Sequence, residues 1–102
     1  LDQAIYYYSK AILLDQEQVI YFFKRGTAYL KLKKYERAVA DFTSAIALDP
    51  EHHNSYHNRG IALYKLGSIR DACESWCKAV DFGNTVSKTH LEKNCKTYPN
   101  CK

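Results

Sequence analysis

Residues 19–50, VIYFFKRGTAYLKLKKYERAVADFTSAIALDP, superpose on residues 53–84, HNSYHNRGIALYKLGSIRDACESWCKAVDFGN, with a shift of 34. The shift aligns Arg25 with Arg59, Gly26 with Gly60, Ala28 with Ala62, Lys31 with Lys65, Leu32 with Leu66, Ala38 with Ala72 and Ala45 with Ala79. Where the letters differ the apolar character is kept: Phe22 faces Tyr56, Tyr35 faces Ile69, Phe42 faces Trp76 and Ile46 faces Val80. Moved back by the same step, Ala4, Tyr8, Ala11, Ile12, Leu14 and Asp15 fall under Ala38, Phe42, Ala45, Ile46, Leu48 and Asp49, so the chain opens in mid-repeat. A period of this size marks a stacked array of one supersecondary unit.

Each unit has helical spacing twice over. Phe22, Gly26, Tyr29 and Leu30 share a face of the first segment, and Ala38, Phe42, Ala45 and Ile46 share a face of the second. Lys33-Lys34 and Gly67-Ser68 separate the paired helices, and Asp49-Pro50 follows the second. The unit is a helical hairpin. Glycine inside a helix costs about 1 kcal/mol against alanine, so Gly26 and Gly60 at one register imply close backbone approach, with Phe42 and Trp76 filling the space between neighbouring hairpins.

These residues resemble the tetratricopeptide repeat, whose pattern is W-x2-L-G-x2-Y, then A-x3-F, then A, then P. Phe22, Gly26, Tyr29, Ala38, Phe42, Ala45 and Pro50 sit at that spacing, followed by Tyr56, Gly60, Leu63, Ala72, Trp76 and Ala79. The chain departs from the pattern at Arg25 and Arg59 in place of Leu, Leu63 in place of Tyr and Asn84 in place of Pro. From Trp76 to Leu91, W-x-K-A followed by G-N also looks like the end of a Sel1-type repeat. The resemblance implies an all-α, right-handed solenoid of about two and a half hairpins in one domain over residues 1–96. Residues 1–16 are the second helix of a cut repeat, 19–50 and 53–84 are repeats, and 85–96 form a capping helix. Val86, His90, Leu91 and Cys95 carry the helical spacing of that cap, which is expected to cover the apolar face of the last hairpin. Residues 97–102 have turn composition.

Composition sets the bounds. The chain has 102 residues, a formal net charge of +4, 46% apolar and 25% charged residues, and nine Tyr, which suits half-buried surfaces. No run approaches the roughly 18 apolar residues of a membrane span, and no basic segment leads into an apolar one at the N-terminus. Because Leu1 stands inside a helical pattern, the chain is expected to be part of a longer protein. The expected compartment is the cytoplasm, with export as the alternative if the cysteines are bridged.

No catalytic constellation is visible: His52, His53, His57 and His90 accompany no nucleophile motif, and there is no phosphate loop or H-E-x-x-H. His52-His53 opens a helix and is expected to be solvated. Asp15, Glu17, Asp49 and Glu51 fall at turns between helices, where acids complement a helix dipole. Arg25 and Arg59, at packed helical positions, are expected to find carboxylates, with Asp41 well placed. Of the four cysteines, Cys73 and Cys77 are four apart on one helix and Cys95 and Cys101 are separated by five residues, neither being a usual zinc spacing. The preferred reading makes Cys73 a small buried hydrophobe and the rest free thiols; a disulfide from the tail to the preceding helix, or within the tail, is the alternative. No metal or cofactor is expected.

By register, the first helices of the two repeats turn Ile20, Phe23, Lys24, Thr27, Leu30 and Lys31, then Asn54, His57, Asn58, Ile61, Tyr64 and Lys65, toward the concave side. The resemblance implies that this groove holds a peptide or partner protein. The lining has donors and apolar side chains but no acid, which suits an acidic or C-terminal-carboxylate peptide. One sub-class of the family binds chaperone tails through a carboxylate clamp of Lys and Asn, then Asn, then Lys and Arg. Asn58 matches the middle Asn, but Phe23 and Thr27 stand where the first Lys and Asn belong, which disfavours that clamp. A second reading is self-association through the N-terminal helix, where Ala4, Tyr8, Ala11 and Ile12 are left partly uncovered. Nucleic acid is not expected, because Lys88, Lys93, Lys96 and Lys102 lack interleaved aromatics beyond Tyr98.

Overall fold

The helices stop where the backbone can turn left-handed. Lys33, Gly67 and Gly83 have φ of 63°, 86° and 106°, and in each case the next amide reaches back into the last turn. Lys34 donates to Tyr29 O at 2.9 Å, Ser68 to Leu63 O at 2.9 Å and Asn84 to Ala79 O at 2.8 Å, the six-to-one closure of a Schellman turn. Lys33 takes this conformation despite its Cβ, while Gly67 occupies the same repeat position without strain. After the helices that end at Leu14 and Leu48 the chain uses Asx turns: Asp15 Oδ1 accepts from the Glu17 amide and Asp49 Oδ1 from the Glu51 amide, both at 3.1 Å. These aspartates therefore hold turns that follow helices, and their role is not the dipole pairing expected from sequence. Asp15 also accepts from Gln18 Nε2 at 2.9 Å, and this bond, followed by the one from the Glu17 amide, holds its carboxyl below the usual carboxylate range.

The computed structural model describes Leu1–Cys95, which form α1 (Asp2–Leu14), α2 (Val19–Lys31), α3 (Tyr35–Leu48), α4 (His53–Lys65), α5 (Ile69–Asp81) and α6 (Thr85–Asn94). Lys96, the tail over residues 97–102 and Cys101 lie outside the described residues. Each helix packs on the next, giving an elongated array of 42 × 24 × 17 Å, the all-α hairpin solenoid that the repeat implies. No helix among the described residues is long and apolar enough to cross a membrane.

Two buried clusters alternate with the repeats. Ala38, Phe42 and Ala62 form one, and Ala72, Cys73, Trp76 and Cys95 form the other. A Cβ on Gly26 would lie 2.8 Å from Phe42 Cε1, and one on Gly60 would enter the Trp76 ring still more deeply. The recurring glycines thus admit an aromatic ring against bare backbone.

Cys73 and Cys95 form a disulfide between α5 and α6, with their Cα atoms 5.8 Å apart. The free-thiol reading is therefore corrected, and no free cysteine occurs among the described residues. The bond forms because Cys73, on the buried face of α5, meets the end of the cap rather than Cys77 one turn away on its own helix. The buried face of the cap also differs from the expectation: Val86 is exposed, and Ser87, Leu91 and Cys95 pack inward. Asn84 fixes this rotation, since its Oδ1 accepts from the Ser87 amide at 3.0 Å and caps the helix.

Arg25 is paired as expected. Its Nε and Nη2 donate to the two Asp41 oxygens at 2.8 Å each, and its Nη1 donates to Ser9 Oγ at 3.0 Å. Arg59 departs from the expectation, because the residue opposite it is Ser75, to which its Nε donates at 3.0 Å.

Candidate partner-binding groove

Neither α2 nor α4 contains an acidic residue, whereas α3 and α5 carry Glu36, Asp41, Asp71, Glu74 and Asp81. The side formed by the first helices is thus free of carboxylates and holds Lys24, Lys31 and Lys65, all exposed.

A seam of hydrogen bonds joins these helices side by side. Asn58 Nδ2 donates to Thr27 Oγ1 at 3.5 Å between α2 and α4. Between α4 and α6, Asn84 Nδ2 donates to Asn54 Oδ1 at 3.2 Å and lies 3.1 Å from His53 Nδ1, and His57 Nδ1 pairs with Ser87 Oγ at 2.6 Å. Partners about one repeat apart in sequence meet because successive hairpins stack in register.

The twelve sequence-expected lining residues divide by environment. Ile20, Lys24, Lys31, Asn54, Tyr64 and Lys65 are exposed, and Thr27, His57 and Asn58 belong to the seam. Phe23 and Leu30 pack against the Phe42 cluster and Ile61 against the Trp76 cluster, so these three anchor α2 and α4. Phe23 also meets the His52 ring at 5.1 Å, and His52 Nδ1 pairs with Ser55 Oγ at 2.7 Å. His52 and His53 are therefore half-buried and hydrogen-bonded, a correction to their expected solvation. Burial holds His57 below the ordinary imidazole range, helped by repulsion from His90 and His53.

Sequence reading stopped the lining at Lys65. Thr89, His90 and Lys93 of α6 bound, with Ile61, Tyr64 and Lys65, a recess of about 330 Å³. Carrying the shift of 34 one step past Asn84 would have set α6 beside α4 as α4 stands beside α2. Among the described residues no cluster of three or more His, Cys, Asp or Glu could hold a metal ion.

A stack of helical hairpins whose α2 and α4 carry no acid, closed by α6 with its exposed Glu92, defines a solenoid of the protein-interaction class. The family model described as TPR repeat matches residues 26–67. The second tetratricopeptide-repeat domain of human RPAP3, solved with the HSP70 peptide SGPTIEEVD, is 33% identical over 90% of this chain and 78% of that one, with a TM-score of 0.85. The chain belongs to the tetratricopeptide-repeat family. The first such domain of Spaghetti (RPAP3), bound to the HSP90 peptide SRMEEVD, has a TM-score of 0.89 at 26% identity, covering 94% of this chain and 78% of that one. The Arabidopsis OM64 domain also gives 0.89 at 26%, with 93% and 80% covered. No curated protein matches the sequence.

Proposed function

We propose that this chain is a non-enzymatic binding module whose α2–α4–α6 side takes a peptide or partner segment carrying acidic groups. The carrying observation is that α2 and α4 contain no carboxylate while presenting Lys24, Lys31 and Lys65, so a negatively charged segment is complementary. The peptides bound to the two RPAP3 domains both end in EEVD, which supports an acidic C-terminus as the feature recognised. Recognition here differs from a Lys-Asn clamp, because Phe23 and Thr27 are engaged in packing and in the seam. Lys65 and Lys93, on opposite walls of the α4–α6 recess, are the cations best placed to take its charge.

Fluorescence anisotropy with a labelled peptide ending in EEVD, its C-terminally amidated form and a Gln-Gln form tests this reading. Binding that weakens with each neutralisation supports it; equal binding of all three removes charge recognition.

Self-association is the second reading, favoured by Leu13 and Leu14 of α1, which are 76% and 89% exposed, and by Tyr6 and Tyr7 beside them. The half-buried Ala4, Tyr8, Ala11 and Ile12 lie nearer α2. Concentration-dependent mass in light scattering that is lost in a Leu13→Ser, Leu14→Ser variant supports it, and a constant monomer mass ends it. The Cys73–Cys95 bond supports an oxidising compartment over the cytoplasm. The Sel1-like ending remains a resemblance of sequence.

A further inference from the structure

Arg25 and Arg59 occupy the same position in successive repeats, and the acceptor that faces them differs in charge. Around Arg25 the chain supplies a hydroxyl, from Ser9, and a carboxylate, from Asp41. Thirty-four residues on, Ser9 becomes Thr43 and Asp41 becomes Ser75. Arg59 keeps the hydroxyl contact, Nη1 to Thr43 Oγ1 at 3.3 Å, and has the Ser75 hydroxyl where the carboxylate would be. Its Nη2 has no acceptor among the described residues, and the Arg25–Asp41 ion pair has no counterpart in the second repeat.

The space left by the smaller, neutral serine opens into a recess of about 460 Å³ between α3 and α5. Tyr56, Arg59 and Leu63 form its floor at helical spacing, on the side of α4 turned away from Asn54, Asn58 and Lys65. Arg59 lies over the Tyr56 ring, 5.5 Å from its centroid. The two arginines shift in opposite directions: the Asp41 hydrogen bonds push Arg25 up, and burial pushes Arg59 down. A guanidinium does not give up its proton under these conditions, so Arg59 is a half-buried cation lacking a bonded anion.

Asp71 and Glu74 stand exposed on the α5 rim and attract Arg59 from beyond ion-pair distance, while Lys78 on the same wall favours an incoming anion. Ile46 and Leu63 give the recess apolar lining that a small free carboxylate would leave uncovered. We propose that this recess is a docking site, separate from the groove, in which an Asp or Glu side chain of a partner protein supplies the carboxylate that Ser75 lacks. An aliphatic neighbour of that acid covers Ile46 and Leu63.

The test is an NMR titration of the 102-residue chain with the blocked peptide Ac-Ala-Leu-Asp-Leu-Ala-NH2 and its Asn counterpart. The Asp peptide is expected to move the Arg59 Nε–H signal and the Ile46 and Leu63 methyls, with the Asn peptide at least about tenfold weaker. Ser75→Asp rebuilds the Arg25 arrangement inside the chain and should remove the response. Arg59→Gln should do the same and serves if Ser75→Asp does not fold. Asp71→Asn with Glu74→Gln should tighten binding. The site is overturned by equal responses to both peptides, by an undiminished response in a folded Ser75→Asp or Arg59→Gln variant, or by no Arg59 response at millimolar peptide even in the rim variant. A response confined to Lys24, Lys65 and their neighbours would count for the groove and against this recess.

Discussion

The indole of Trp76 and the imidazole of His90 stack at 4.9 Å with 14° between their planes, and this contact carries the cap helix. On its other side the indole lies against Gly60, and its Nε1 donates to His57 O at 3.2 Å. One ring thus touches α4 and α6 from its place on α5. Trp76→Ala empties a large buried site and should cost about 3–5 kcal/mol, measured by urea denaturation followed by circular dichroism. A loss below about 1 kcal/mol would contradict this packing.

The disulfide should contribute separately. It closes a 22-residue separation around the α5–α6 turn, restricting the unfolded chain. Replacing both Cys73 and Cys95 by Ala is expected to lower stability by about 3 kcal/mol. Hydrogen exchange should rise first in α6, because that helix has a weak apolar face and leans on this bond and on His90. Uniform acceleration through α2 and α3 would show instead that the cap is not a separable unit.

Arg25 and Arg59 provide a comparison within one molecule. Asp41 is buried and holds Arg25 through two oxygens, so Asp41→Asn should cost about 3 kcal/mol. Ser75→Ala, at the equivalent position, removes one neutral acceptor and should cost about 1 kcal/mol. Thermal denaturation of the two variants ranks them, and equal losses would refute the difference drawn between the repeats.

The alignment that made the hairpins legible also held the arginine difference, since it places Ser75 opposite Asp41. Phe42, Trp76 and the two glycines could be read from sequence because repeat packing demands bulk facing a bare backbone at fixed register. The cap rotation could not be read that way. It depends on Asn84 capping through Ser87, which turns Val86 outward although an apolar pattern alone would bury it. The Cys73–Cys95 bond is the alternative that the sequence left open, a disulfide from the tail to the preceding helix, and it ranked second because the bond joins two helices across a turn while local spacing reports only neighbours on one helix. The α6 wall of the proposed groove was missed because the cap was read as a lid and not as the next inner helix.

Histidine burial sets a pH dependence. His57 and His52 are both held below the ordinary value of about 6.5, in each case first by burial. Between that value and their lower folded values the unfolded chain binds more protons, so stability is present above pH of about 6.5 and declines as pH falls. The melting temperature should drop between about pH 7 and about pH 5. His57→Gln, which keeps a polar group toward Ser87 and relieves the contact with His90, should flatten that drop. A rise in melting temperature on acidification would reverse the sign and reject the argument.

The groove reading makes a sharper demand, because it assigns the attraction to one side of the array. Lys24→Glu combined with Lys65→Glu should weaken an EEVD-ended peptide while leaving the melting temperature nearly unchanged, since exposed charges contribute little to folding. Arg70→Glu, at an exposed position of α5, is a control of the same charge type that avoids both the groove and the Arg59 recess. Binding by the unaltered chain should fall with added salt, because the screening length is roughly 10 Å at 0.1 M. If Arg70→Glu weakens binding as much as the double variant does, the attraction is the net charge of the chain. If the double variant binds as well as the original, the peptide surface lies elsewhere on the solenoid.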